Sequence, residues 1–408
     1  MGNNLQTLPE TLGAAAVRAQ HNRLILNLLW NEREISRADL ARRTGLSRST
    51  ISAIVNDLLG TGLVAEARAG VSTGGRRPIL LEFQDEAHFI IGIELGATHI
   101  SCVLTDLRCN VRASWSVSVA VRDQPQVSLD KMVTAIRAVL DAGGVEERQL
   151  LGIGVAVPSP VDSRRPGELL PLVVPRWHGH NIIQHLQQHF DRPVRIDNDA
   201  NLGALAELWW AAKPAARNLV YIKAATGIAA GLIVYGRLFR GRDGIAGEIG
   251  HTAIDSSGPR CECGLNGCLT TFIGTQFLLA RAADHARMPG AARAAPRTLD
   301  ELVDAALDGE PHIVELIRYT GQRLGIGVAN MLNMLNPDTV ILGGGITRAG
   351  DLLVDAVREA VGKMSLAESI SRADIRISEL DEWGIAVGAA TLVLESALQV
   401  PAQFAATS

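Results

Sequence analysis

Apolar positions along this chain change their period as the chain proceeds. From Gln20 to Trp30, Leu24, Ile25, Leu28 and Leu29 recur at helical spacing and predict a helix with one buried stripe. Ser36 followed by Asp39 is a helix start of the capping-box type, with an acid shorter than the preferred glutamate. That short helix turns Leu40 and Ala41 inward and ends near Thr44-Gly45. A second start follows at Ser47, after which Ile51, Ile54, Val55, Leu58 and Leu59 keep one face apolar. Two strand-like runs, Leu63–Arg68 and Pro78–Phe83, then flank "AGVSTGGRR" and read as a hairpin.

Beyond Phe89 strand-like runs alternate with helical ones. "FIIGIEL", "ISCVLTDL" and "WSVSVAV" predict three consecutive strands. A helix around Val127–Leu140, the run "LLGIGVAV", another helix and "RPVRID" follow. From Asn218 a similar series begins: "NLVYIKA", "AAGLIVYG", a long irregular insert, helices, "DTVILGGG", "IRIS" and a last helix from Ile385. The repeated order predicts two related α/β lobes with a cleft between them, where small ligands bind. The expected division is a flexible N-terminus over 1–17, a first domain over 18–85, and a first lobe over 86–200 completed by a C-terminal helix at 384–397. A second lobe spans 201–383 and a tail 398–408.

Helix, glycine turn and helix with a small polar outer face form a helix-turn-helix, and the hairpin adds a wing. Arg48, Ser49, Thr50, Ser52 and Asn56 lie off the apolar stripe and would face base edges. Arg68, Arg76 and Arg77 would reach the phosphate backbone or the minor groove, since the glycines of the tip allow close approach. A small helical bundle for protein contact fits the helices equally; the paired arginines of the wing favour duplex DNA. Charge adds little. Residues 1–85 hold ten arginines, no lysine and eight acids, a net +2 within a chain of -4. Apolar runs such as 151–158 and 224–235 are too short to span a bilayer. No apolar run follows a charged start, so no secretory leader and no membrane partner are expected. Cys102 and Cys109 read as reduced thiols, which points to the cytoplasm.

Three of the five cysteines fall within eight residues, in "GEIGHTAIDSSGPRCECGLNGC". His251, Cys261, Cys263 and Cys268 supply the four imidazole and thiolate ligands that close a tetrahedral structural zinc site. Pro259, Arg260, Glu262 and Asn266 interleave with the thiols, which is not the pattern of a packed core. Glu248 stands three residues before His251, so tying down the histidine also places the carboxylate.

On "GEIGH", the "CECGLNGC" loop, "IDNDANLGALAE", "VPSPVD", "TGIAAGL" and "ILGGG", the chain resembles the ROK family of repressors and sugar kinases. The resemblance runs from residue 18 to about 397. It implies an actin-like, RNase H-type two-lobe fold behind an α+β winged helix-turn-helix, as in the repressor branch. It implies a double-stranded operator, a sugar or sugar-phosphate effector contacted by Asn198, Asp199, Glu248 and His251, and a homodimer or tetramer. In a kinase the residue at Asp199 would be the general base; "DND" is also a good helix cap. The phosphate loop of family kinases, Asp-x-Gly-Gly-Thr-Lys, is here "ELGATH", with Glu94, Ala97 and His99 at the altered positions. Those changes lengthen the acid, obstruct the backbone and remove a fixed positive charge, so ATP is not expected as a cofactor. Thr270 stands where the family usually has a sugar-binding glutamate. The expectation is a sugar-responsive repressor. An ATP-dependent sugar kinase with a DNA-binding head is the alternative, and a regulator answering to a protein partner is a third.

Overall fold

The computed structural model describes residues 14–69, 78–171, 173–211, 216–287, 294–366, 373–400 and 404. The head holds α1 (Ala14–Glu32), β1 (Glu34–Ser36), α2 (Arg37–Thr44), α3 (Arg48–Gly60), β2 (Val64–Ala69) and β3 (Ile79–Phe83). Ser36 caps α2 by accepting from the Asp39 amide, and Gly45 ends it in the left-handed region. Ser47 caps α3 by accepting from the Thr50 amide. The strand order is β1-β3-β2, and β1 was not foreseen from its three residues. On α1 the buried face is Ile25, Leu26 and Leu29, while Leu24 is exposed. The inward stripe is therefore rotated from the expected one, because α1 packs on two bodies at once.

The first lobe contains β4 (Phe89–Leu95), β5 (His99–Thr105), β6 (Val111–Ser118), α4 (Pro125–Gly143), β7 (Leu150–Val157), α5 (Ile182–Gln187) and β8 (Val194–Asn198). The second follows with α6 (Asp199–Ala206), β9 (Leu219–Ala224), β10 (Ile228–Val234), β11 (Arg237–Leu238), α7 (Thr270–Ile273), α8 (Thr275–Ala286) and α9 (Leu299–Leu307). It ends with α10 (Pro311–Leu335), β12 (Thr339–Gly343), α11 (Asp351–Met364) and β13 (Asp374–Ile377), and α12 (Gly384–Gln399) closes the chain. The sheets run β6-β5-β4-β7-β8 and β11-β10-β9-β12-β13, the same order twice. In each, the first three strands pair antiparallel and the last two parallel. β6 starts at Val111, ahead of the expected run, as a half-exposed edge strand whose alternation is weak.

Two helices join the lobes. α12 packs on β4 and β7 of the first sheet, and α6 packs on β9 and β10 of the second. Strand glycines permit the approach: a Cβ at Gly154 would stand 1.9 Å from the Ala389 carbonyl oxygen. The helices also touch each other, with Gly388 against the Leu202 carbonyl.

The core of the head is continuous with apolar residues of the first lobe and of α12, across the expected boundary at residue 85. Ile25, Leu29, Leu40, Ile54 and Leu81 share one apolar cluster with Leu107, Leu151, Val393, Leu394 and Phe404. Trp30 marks the seam. Its ring lies 5.5 Å from Trp209 and 6.3 Å from Trp210, and its Nε1 donates to the Leu107 carbonyl at 3.1 Å. The Arg108 guanidinium covers the ring at 4.4 Å. Trp30→Ala is expected to cost about 2–4 kcal/mol through lost packing, read by urea denaturation. Faster proteolytic release of the head should accompany it.

Candidate functional site: an interlobe cleft behind a helix-turn-helix

Between the lobes lies a cavity of about 880 Å³ whose walls include Asn198, Asp199, Glu248 and His251, all four expected effector contacts. Asn198 ends β8 and caps α6, its Oδ1 accepting from the Ala200 amide at 2.9 Å and the Asn201 amide at 3.3 Å. The cap and the cleft placement coexist, since the helix start points into the cavity. Asp197, one residue earlier, is turned away to Arg240 at 2.6 Å. Among the described residues, no ion pair to Glu248 offsets its surroundings. Burial, with Asp199 nearby, pushes its carboxyl up to about 7.

The floor of the cleft is ionic. Lys223, on β9, donates from Nζ to Asp199 Oδ2 at 2.7 Å and to Glu94 Oε1 at 3.2 Å. All three side chains are nearly inaccessible. Burial alone would raise Glu94, but Lys223 and His99 bring it down to about 2. Burial disfavours the Lys223 ammonium, yet Asp199 and Glu94 hold its pKa above the ordinary lysine range. His99 lies against Gly96, where an added Cβ would come within 2.5 Å of the imidazole. That ring covers the backbone of the "ELGATH" turn. Lys223 was the residue missed from sequence; the signal was a single cation in the apolar strand "NLVYIKA", which needs acidic partners to be buried.

Beside the cleft, His251, Cys261, Cys263 and Cys268 bring their ligand atoms within 4.8 Å of one another and could hold a metal ion. Cys261 Sγ is 3.6 Å from His251 Nδ1, and Cys263 Sγ is 3.7 Å from Cys268 Sγ. Burial lowers the His251 pKa, which favours the neutral, ligating imidazole. Gly267 makes the return of the loop feasible: its φ is +67°, and a Cβ there would meet the Asp255 carbonyl oxygen at 1.5 Å. A second missed residue, Arg122, lines the opposite wall and donates to Glu262 Oε2 in this loop at 2.9 Å.

On the head, Arg48, Ser49 and Asn56 are exposed on α3, and Ser52 is half-buried on the same face. Ala53, not singled out from sequence, is exposed between them. Thr50 is drawn into the cap, its hydroxyl 2.8 Å from Ser47 Oγ. Asn56 Oδ1 accepts from Arg37 at 3.5 Å. Arg68 lies on β2, its side chain outside the description, and Arg76 and Arg77 fall outside the described residues. No described helix is long and apolar enough to cross a membrane.

Known proteins supply a frame for this geometry. Residues 90–396 match the ROK family model, and residues 18–65 match a model of winged helix-turn-helix DNA-binding domains. The xylose repressor of Bacillus spizizenii is 30% identical over 384 residues, covering 94% of this chain and 97% of its own. The DNA-binding transcriptional dual regulator NagC of Escherichia coli is 28% identical over 386 residues, with 94% of each chain covered. A crystal structure of a ROK family transcriptional regulator, a homolog of the E. coli MLC protein, superposes with a TM-score of 0.80 at 24% identity, covering 96% of this chain and 99% of that one. A ROK family glucokinase from Streptomyces griseus, solved with glucose and AMPPNP, gives 0.67 at 24% identity over 74% of this chain and 98% of its own. These two likenesses establish the fold.

Lys223→Met should leave Asp199 and Glu94 buried without a counter-charge. The expected loss is about 3–5 kcal/mol of folding stability at neutral pH, measured by chemical denaturation.

Proposed function

The chain belongs to the ROK family, and from that premise we propose that it is a transcription regulator whose grip on operator DNA is set by a saccharide held between its lobes. The head supports the DNA half of this reading, with an exposed polar face on a capped second helix. The cleft supports the other half. Paired donors and acceptors at Asn198, Asp199, Glu248 and His251 suit sugar hydroxyls, which both give and take hydrogen bonds. The relatives named as xylose repressors put xylose first among candidate effectors and repression first among modes. A saccharide that binds one arrangement of the lobes better than another would shift a homo-oligomer between operator-binding and released states.

Phosphoryl transfer is not part of the proposal, and one observation carries that decision. Both oxygens of Asp199, at the position of a kinase base, already accept hydrogen bonds, Oδ2 from Lys223 Nζ at 2.7 Å and Oδ1 from the Ala200 amide at 2.8 Å. The His99 ring over Gly96 also denies backbone amides to a phosphate.

Zinc is the proposed occupant of the His251 and cysteine cluster. Zn–S bonds of about 2.3 Å and Zn–N bonds of about 2.0–2.1 Å, at tetrahedral angles, require sulfurs about 3.8 Å apart and a sulfur about 3.6 Å from nitrogen. Two of the six ligand separations, 3.7 and 3.6 Å, match these values, and all four ligand atoms lie within 4.8 Å of one another. With four protein ligands the ion is structural: it holds the loop that carries Glu248 at the cleft wall.

Titration calorimetry with xylose, glucose, N-acetylglucosamine and their phosphates tests the effector. Glu248→Gln should weaken the active sugar about tenfold, as expected for a hydrogen bond to a charged group, and leave sugar-free operator binding unchanged. Arg48→Ala combined with Asn56→Ala should weaken operator binding about 100-fold in gel shifts with no change in sugar affinity. Cys263→Ser should abolish bound zinc by metal analysis and blunt the sugar response. Turnover of ATP with any sugar, lost in Asp199→Asn, would overturn the regulator reading in favour of a kinase.

A further inference from the structure

One carboxamide on the outer face of α3 is held in a fixed sense by a side chain from the preceding helix. Ser49, Ala53 and Asn56 are exposed at helical spacing, with Arg48 at the start of the same helix. Ser49 and Ala53 are short, so Arg48 and Asn56 are the side chains of that face with reach. Beside Asn56 lies Arg37, the first residue of α2. Its guanidinium donates to Glu66 Oε1 of β2 at 2.8 Å and to Asn56 Oδ1 at 3.5 Å.

The two bonds have different consequences. The one to Glu66 is charge-assisted and fixes the guanidinium. The one to Asn56 is long, and what it sets is direction. A guanidinium carries donors and no acceptor, so only the oxygen of the carboxamide can face it. Asn56 therefore turns Oδ1 towards Arg37 and Nδ2 away from it. The pair offers N–H groups on both sides of that one oxygen.

Base edges respond unequally to such an arrangement. In the major groove adenine shows the N6 amino donor beside the N7 acceptor, and an asparagine matches it by accepting with Oδ1 and donating with Nδ2. With Oδ1 turned to Arg37, the amino group of adenine would meet the donors of the guanidinium. Cytosine shows an amino donor and meets the same conflict. Thymine shows one acceptor beside its methyl group, whereas guanine shows two acceptors, O6 and N7, and can take an N–H from each partner.

We propose that Arg37 is a specificity-determining residue of the DNA-binding surface. By holding the oxygen of Asn56 it makes the position that Asn56 reads select guanine and reject adenine. Glu66 is a positioning residue, acting through the guanidinium that it anchors. This rests on the reading of α3 as the helix that enters the operator. It goes beyond that reading by naming a base and the residue that sets the choice.

Selection of the full chain on random duplexes, followed by sequencing, decides it. Asn56→Ala should flatten one position of the selected motif, which identifies the base pair that Asn56 reads. In the unaltered chain that position should be a G·C pair, preferred over A·T about tenfold. Arg37→Met keeps the stem of the side chain and removes its donors, so the same position should turn to A·T. Glu66→Gln removes only a charge from the surface of the head, and should lower the preference for G·C with the rest of the motif unchanged. An A·T pair at that position in the unaltered chain overturns the proposal and leaves the regulator reading in place. So does a motif that Asn56→Ala leaves intact, or a G·C preference undiminished in both Arg37→Met and Glu66→Gln. Failure to enrich any sequence overturns both, and so marks a failure of the underlying reading.

Discussion

One ammonium group held between two carboxylates organises the centre of this molecule. Lys223 comes from the second lobe's sheet, Glu94 from the first lobe's central strand, and Asp199 from the start of the helix between them. Removing three charges from water is costly, and the cost is offset only where the geometry is short and each charge has its partner. The consequence is positional. Three elements from two lobes are fixed relative to one another at the base of the cleft. The same pairing fixes one carboxylate oxygen of Asp199 against Lys223 at 2.7 Å, at the wall of the cleft. At the cleft floor Lys223 reaches from the second lobe to Glu94 of the first, beside the turn on which His99 stands.

From that point α6 leads directly to the DNA-binding head. Asn198 and Asp199 stand at its start, and its far end passes into a π-helical turn, Glu207–Ala211, that carries Trp209 and Trp210. Such turns interrupt regular helices at places under functional demand. Glu207 is fully buried there and pairs with Ser378 and Arg376, which anchors the turn in the second lobe. The two tryptophans meet Trp30 of α1, and Trp210 Nε1 donates to Thr391 on α12 at 2.8 Å. Packed elements therefore run without a gap from the cleft residues at the start of α6 to the head. Packing alone does not create regulation; a ligand must bind two arrangements unequally. The tryptophan seam is where a change in the angle between lobes would be felt by α1.

What the sequence revealed depended on how local each feature is. The caps at Ser36 and Ser47, the glycine end of α2 and the buried face of α3 follow from residues within one turn of each other, so spacing displays them. The cluster of His251 and three cysteines is legible for the same reason: its donors are rare in this chain and close in sequence. Lys223 was opaque because its partners stand 24 and 129 residues away. The rotated face of α1 was opaque because α12, more than 350 residues later, supplies part of what it packs against. Thr50 shows the limit at short range. Pattern placed it on the outer face of α3, but a hydroxyl three residues after a capping serine is within reach of the cap and is used there.

The loop of His251 and the three cysteines reaches both walls of the cleft, and the strength of its contacts explains how. Inside, it places Glu248; outside, Glu262 accepts from Arg122 of the first lobe, which also donates to the Val173 carbonyl at 2.9 Å. Glu262 is 71% exposed, and an ion pair so open to water contributes little to stability. The pair therefore cannot be what orders the loop. The four converging side chains and the tight return at Gly267 shape the loop independently of that pair. An interlobe contact that is weak but already positioned forms and breaks at small cost. That is the property a cleft needs if a ligand inside it, and not the bridge at its mouth, is to decide whether the lobes are closed.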